Sequence, residues 1–202
     1  HVRGKTIVMD PYLPGAFGGR IGHAPIPGPV DIVTISHEHV DHSHIPEHFG
    51  DPIVLRRARR IGDLDFRFVD CWHDKLEGES MGPNRATVAD LGGIRLAHLG
   101  DLGHRLSAAQ LSEIGKIDLL LLPIGGIFTL NPKEAFEVME DVKASIVVPM
   151  HYRNHRCHLD LAFLDDFLSL CSRFELFDHS TLNLAEGSLP ELTTVYALRP
   201  AL

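Results

Sequence analysis

The run Asp31-Ile32-Val33-Thr34-Ile35-Ser36-His37-Glu38-His39-Val40-Asp41-His42 carries an apolar, β-branched segment straight into a cluster of histidine and aspartate. Residues 31–35 read as a buried strand, because β-branched side chains suit a pleated surface. While the backbone stays extended, residues two apart share a face, so His37 and His39 can point into one pocket. Asp41 and His42 follow where the chain must turn. Four nitrogen or oxygen donors within six residues suit a borderline divalent cation such as zinc, and a strand end opening into a loop leaves room for substrate. Each residue alone has a bland reading, as a surface histidine or a capping aspartate. Four together behind a buried strand are costly without a cation to offset their lone pairs and charge.

Outward from this run, strand-like segments recur at 6–9, Ile53–Leu55, 66–69, 86–90, 94–97, 119–122 and 146–148. Leu91-Gly92-Gly93 reads as a hairpin turn, and residues 11–29 form a long Gly/Pro-rich loop of the kind that serves function. Helical patterns fall at Ala108–Ile114, Pro132–Val142 and 159–170. The second announces its start: Asn131 as N-cap, Pro132 in the first helical position and Glu134 at capping-box spacing. Strands first, then strands mixed with helices, predict one α/β domain over 1–202 with two sheets and outer helices.

Composition narrows the function. A chain of 202 residues with 44% hydrophobic and 23% charged residues can bury a core without staples. Nineteen basic against 27 acidic residues give a net charge of −8, which repels polyanions and argues against nucleic acid as a partner. The longest apolar run, 117–124, is too short for a membrane span and contains Asp118 and Pro123. Three cysteines without a CxxC point to a reducing cytoplasm, with Cys71 as a small buried hydrophobe. No GxSxG occurs, so covalent catalysis has little support.

Three further donors follow strands elsewhere in the chain: His73, Asp101 in Leu99-Gly100-Asp101, and His151 in Pro149-Met150-His151-Tyr152. In open α/β sheets ligands gather at one edge of the strands, so residues at equivalent strand ends can converge from far apart in sequence.

The HxHxDH pattern of His37, His39, Asp41 and His42 resembles that of the metallo-β-lactamase superfamily. Gly4 to Leu13, His73-Asp74, Gly82-Pro83-Asn84, the segment from His98 to His104 and Pro149 to Tyr152 resemble its branch of metal-dependent hydrolases related to ascorbate-6-phosphate lactonase. The resemblance runs to about His151 and implies an αββα sandwich of two mixed sheets with outer helices. It also implies a ligand set: His37, His39 and His73 for one metal, Asp41, His42 and His151 for the other, with Asp101 bridging. Asn84 is implied as a residue that orients the site loop. Members of the family begin with a further strand that this sequence does not show, so a short N-terminal strand is expected to be missing.

Two divalent ions, zinc first and manganese second, would share a water and bring its ionisation toward neutral pH. Asp41 then has a second role, orienting that water or taking its proton. The expected activity is hydrolysis of a small ester, lactone or phosphodiester. The alternatives are an RNA or DNA phosphodiesterase on the same fold and a di-iron redox protein; a homo-oligomer is left open. Around this centre His98 reads either as a core histidine or as an orienting partner of a ligand, and His104 as a pocket residue. Asn84 also reads as a plain turn former. His155 and His158 read as solvated loop, and Arg56, Arg57, Arg59 and Arg60 as a solvated helix face that could also bind phosphate.

Overall fold

Residues 1–185 and 187–201 are described by a computed structural model. Its elements run β1 (Ile7–Met9), α1 (Ala16–Gly19), β2 (Ile32–Thr34), a 3-10 turn (Glu47–Phe49), β3 (Ile53–Leu55), β4 (Arg59–Ile61), β5 (Leu64–Trp72), β6 (Pro83–Asp90) and β7 (Arg95–His98). There follow α2 (Ala108–Ile114), β8 (Leu119–Pro123), α3 (Pro132–Val142), β9 (Ile146–Met150), α4 (Leu164–Leu168), β10 (Phe174–Leu176) and β11 (Thr194–Ala197). The smaller sheet, β1-β2-β3, is parallel throughout. The larger sheet has the order β10-β11-β9-β8-β7-β6-β5-β4, parallel from β10 to β7 and antiparallel from β7 to β4.

Three apolar layers hold these pieces together. Ile32, Leu55, Leu64, Phe66 and Ala89 meet between the two sheets. On the far side of the larger sheet Leu120, Leu122, Val138, Val147 and Phe167 join it to the helices. Val33, Ile35, Val30 and Phe49 cover the outer face of the smaller sheet, where the chain supplies loop and the 3-10 turn Glu47–Phe49. Strand β2 lies between two of these layers, so all of its residues are buried, as its uninterrupted β-branched run requires.

The helices at Ala108–Ile114 and Pro132–Val142 form where expected, and the capping box of Asn131 with Glu134 is present. The expected helix over 159–170 shrinks to Leu164–Leu168. Its first residues stay extended because Ala162 donates its N–H to Gly125 O at 2.8 Å and Arg153 donates to Ala162 O at 2.9 Å. The arginine run is no helix face: Arg59 and Arg60 lie on β4, an edge strand paired with β5, where charge discourages pairing with another chain.

Strand direction positions the site. In the larger sheet β7, β8 and β9 run parallel, and two antiparallel reversals bring β5 back to the direction of β7. The C-terminal ends of β5, β7 and β9 therefore open on one edge, and His73, Asp101 and His151 follow them. In the smaller sheet β1 and β2 end at Asp10 and at the Ser36-His37 segment.

Candidate metal centre

Asp101 stands at the middle of the cluster, almost fully buried at 3% exposure. Its Oδ2 lies 3.0 Å from His73 Nε2, 3.2 Å from His42 Nε2, 3.5 Å from His151 Nε2 and 4.0 Å from His37 Nε2. Asp41 Oδ2 is 3.5 Å from His42 Nε2, and His39 Nδ1 is 3.1 Å from His37 Nε2. Three sets of donors lie close enough to hold a cation: His37 with His39 and His73, Asp41 with His42 and His151, and Asp10 with His37 and His42. All seven residues of the expected ligand set are thus brought together, from four separate parts of the chain.

The rings are aimed by their other nitrogens. Ser36 donates its hydroxyl to Asp10 Oδ2 at 2.5 Å and is 2.9 Å from His37 Nδ1, which leaves His37 Nε2 facing the cluster. His73 Nδ1 is 3.2 Å from the carbonyl of Phe128, and His42 Nδ1 is 3.0 Å from Asp10 Oδ2. Such carboxylate or carbonyl partners fix the tautomer of a ligating imidazole. Asp10 carries most of this work: it also accepts the Ser36 N–H at 2.8 Å, and it holds a left-handed backbone, φ 49, to turn its carboxylate inward. Sequence reasoning missed it as a site residue. The available signal was an aspartate at a strand end followed by proline, in Met9-Asp10-Pro11. Asp10→Asn is expected to lower metal affinity about 10- to 100-fold, read by competition with a fluorescent chelator; unchanged affinity would remove Asp10 from the site.

Electrostatics separate the members. Burial, reinforced by His42, pushes the His37 pKa down to about 3, so His37 is neutral with a free lone pair. Burial also disfavours the Asp101 carboxylate, but the surrounding histidines His151, His42 and His73 outweigh it and hold Asp101 ionised. For His42 burial is opposed by Asp101, Asp10 and Asp41, which raise its pKa well above the ordinary value. The residues present fit a bound cation on two observations. Asp101 Oδ1 and His151 Nδ1 are buried with no hydrogen-bond partner among the described residues. And ring nitrogens of His37 and His39 face each other at 3.1 Å, an arrangement that a shared cation relieves.

Asn84 is fully buried and braces the loop of Asp101: its amide donates to Leu99 O at 2.8 Å, and its Oδ1 accepts the Asp101 N–H at 3.1 Å. It orients the site loop and leaves no polar atom for substrate. Gly100, at φ +55, packs against it so closely that a Cβ would stand 2.4 Å from Asn84 Oδ1. Asp74 plays the same part after His73, accepting the N–H groups of Leu76, Gly78, Ser80 and Met81 at 2.7 to 3.0 Å. His104 is occupied by backbone instead of pocket: its Nε2 accepts the Trp72 N–H at 3.1 Å, and its Nδ1 lies 2.8 Å from Arg105 O. His98 is buried and accepts the Gly100 N–H at 3.1 Å, so it too supports the Asp101 loop. Burial pushes the Cys71 thiol up to about 12, which leaves it without nucleophilic character at neutral pH.

One side of the cluster opens into a cavity of about 470 Å³ whose walls include Asp41, His42, Asp101 and His151 together with Tyr12, Ile21 and Leu161. An apolar hollow with a few convergent polar groups is the usual form of a small-molecule site.

A two-sheet sandwich with a histidine and aspartate centre at its strand ends defines a class of metal-dependent hydrolases, and comparison with known proteins agrees. The model of the Beta-lactamase superfamily domain matches residues 1–151, and the chain belongs to the metallo-β-lactamase superfamily. It is 32% identical to a UPF0173 metal-dependent hydrolase of Thermococcus onnurineus over 75% of this chain and 79% of that protein. A UPF0173 metal-dependent hydrolase of Thermus thermophilus is 29% identical over 74% of this chain and 77% of its own length. Among solved structures, a Thermotoga maritima chain described within the metallo-β-lactamase superfamily is 33% identical, covers 98% of this chain and 91% of that one, and superposes with a TM-score of 0.77. By this kinship the protein is a metal-dependent hydrolase. No helix among the described residues is long and apolar enough to cross a membrane.

Proposed function

We propose that the chain, as one domain over 1–202, holds two divalent cations and hydrolyses a small ester, lactone or phosphodiester. The observation that supports this reading is the gathering of four imidazole Nε2 atoms within 3.0 to 4.0 Å of one buried carboxylate oxygen. His37, His39 and His73 would hold one cation, Asp41, His42 and His151 the other, and Asp101 would serve both. Bound divalent ions supply Lewis-acid activation of water and of the carbonyl or phosphoryl oxygen of the substrate. Zinc suits the mixed nitrogen and oxygen donors, with manganese second. The Thermotoga maritima relative is itself proposed to be zinc-dependent.

The chain's own residues do the rest. Asp41 is partly exposed on the cavity side, where its carboxylate orients the attacking water and accepts its proton. Asp10 and Ser36 keep His42 and His37 in the tautomers that present Nε2. The apolar cavity wall excludes bulk water from the reacting group. A small-molecule substrate is favoured over nucleic acid by the net charge of −8. A cytoplasmic location accords with three cysteines that are all free.

The test is a screen of aryl esters, lactones and bis(p-nitrophenyl) phosphate before and after chelation. Turnover of at least one class should vanish with the metal and return with added zinc or manganese. Full turnover by protein verified to be metal-free would contradict the mechanism.

A further inference from the structure

Beyond the metal ligands, the cavity wall carries a cation that no carboxylate of the described residues neutralises. Arg199 lines the same 470 Å³ hollow as Asp101 and His151, on the segment that follows β11. The neighbouring arginines are engaged: Arg20 pairs with Asp160 at 3.0 Å, and Arg153 approaches Asp160 at 4.0 Å while lying over the ring of Phe163. Among the described residues no carboxylate lies within 4.0 Å of the Arg199 guanidinium; only its backbone N–H is used, donated to His179 O at 3.0 Å. The Tyr152 hydroxyl, next to the ligand His151 and on the same wall, likewise makes no hydrogen bond with a described residue.

Arg199 stands where two hollows meet. Tyr152, Asn154, Leu198, Arg199 and Pro200 line both the metal cavity and an adjoining hollow of about 300 Å³. That second hollow continues past the exposed apolar side chains Phe163 and Leu176. In a protein of net charge −8, a guanidinium with no carboxylate partner among the described residues, set between two apolar hollows, is a local reversal of sign. Arg199 is exposed at the rim of both hollows, where a guanidinium presents a planar fork of donors that matches an acidic group.

We infer that Arg199 is a specificity residue that binds an acidic group of the substrate, set apart from the scissile bond by an apolar segment. This rests on the proposed hydrolysis only in placing the scissile bond at the metal centre. The substrate class is then an anionic, amphipathic ester or lactone. A neutral polar molecule such as a simple sugar lactone falls outside it.

Calorimetric binding of octane-1-sulfonate and of octan-1-ol to the intact protein tests the assignment without needing turnover. The sulfonate is expected to bind about 10- to 100-fold more tightly than the alcohol. Arg199→Ala should erase that difference while leaving alcohol binding in place, and Arg199→Lys should keep part of it. Equal binding of the two probes by the unmodified protein, or an undiminished preference in Arg199→Ala, overturns the inference. Either result leaves the chelation experiment untouched, and loss of the hydrolytic reading would leave this binding result standing.

Discussion

Asp101→Ala should reduce hydrolysis by roughly 10²- to 10⁴-fold while the protein still folds. Loss of a single supporting partner around a metal typically weakens affinity about 10- to 100-fold. Asp101 would serve both cations, so two such losses compound. Its carboxylate is the group common to His37, His42, His73 and His151, and no other described carboxylate pairs with all four. The fold does not depend on it in the same way. Asp101 Oδ1 makes no hydrogen bond among the described residues, and the backbone around it is fixed by the Asn84 side chain. Circular dichroism of the metal-free variant should therefore match the parent protein, while metal content and turnover collapse. Parent-level turnover in Asp101→Ala would refute the role assigned to it, and His39→Ala should behave in the same direction.

The second large effect is expected at a residue that touches no substrate. Gly125 follows β8, and a Cβ there would stand 2.1 Å from the carbonyl oxygen of His151 and 3.1 Å from Leu161 Cβ. Backbone cannot yield as a side-chain tip can. His151 already occupies a left-handed conformation, φ 53, and Gly125 O holds the neighbouring segment through Ala162. Gly125→Ala is thus expected to cost about 1–3 kcal/mol by overpacking, a fall in Tm of roughly 2–12 °C for a chain of this size. It should also weaken the proposed cation site of Asp41, His42 and His151. Thermal melts of the metal-free and metal-loaded variant check both effects, and unchanged melts would show that the contact is slack.

How far the sequence discloses this site depends on where each residue lies. His37, His39, Asp41 and His42 are legible because they are contiguous and follow a segment that can only be buried strand. His73, Asp101 and His151 are legible as strand ends, since strand direction decides which ends share an edge. Asp10 is not, because its strand has three residues and its role comes from a left-handed turn that only the folded backbone displays. His104 misleads for the opposite reason: its position beside the Asp101 loop is right for a pocket residue, but the Trp72 backbone takes its free nitrogen.

The same distinction holds for the fold. Capped helices such as Pro132–Val142 announce themselves through Asn131 and Glu134. The edge strand β4 hides behind arginines, because the charges that protect an edge also erase strand alternation. Strand β10 is exposed along its length and so has no periodicity to read. The 159–170 pattern is periodic enough for a helix, yet backbone bonds to Gly125 and Arg153 hold its first residues extended.

The proposed paired-cation centre is tested most directly by titrating metal-depleted protein with zinc, following bound metal and hydrolysis in the same samples. The account predicts that turnover rises from near zero and levels off at about two ions per chain. Turnover at full rate with no metal bound would contradict it, as would a plateau reached at a single ion.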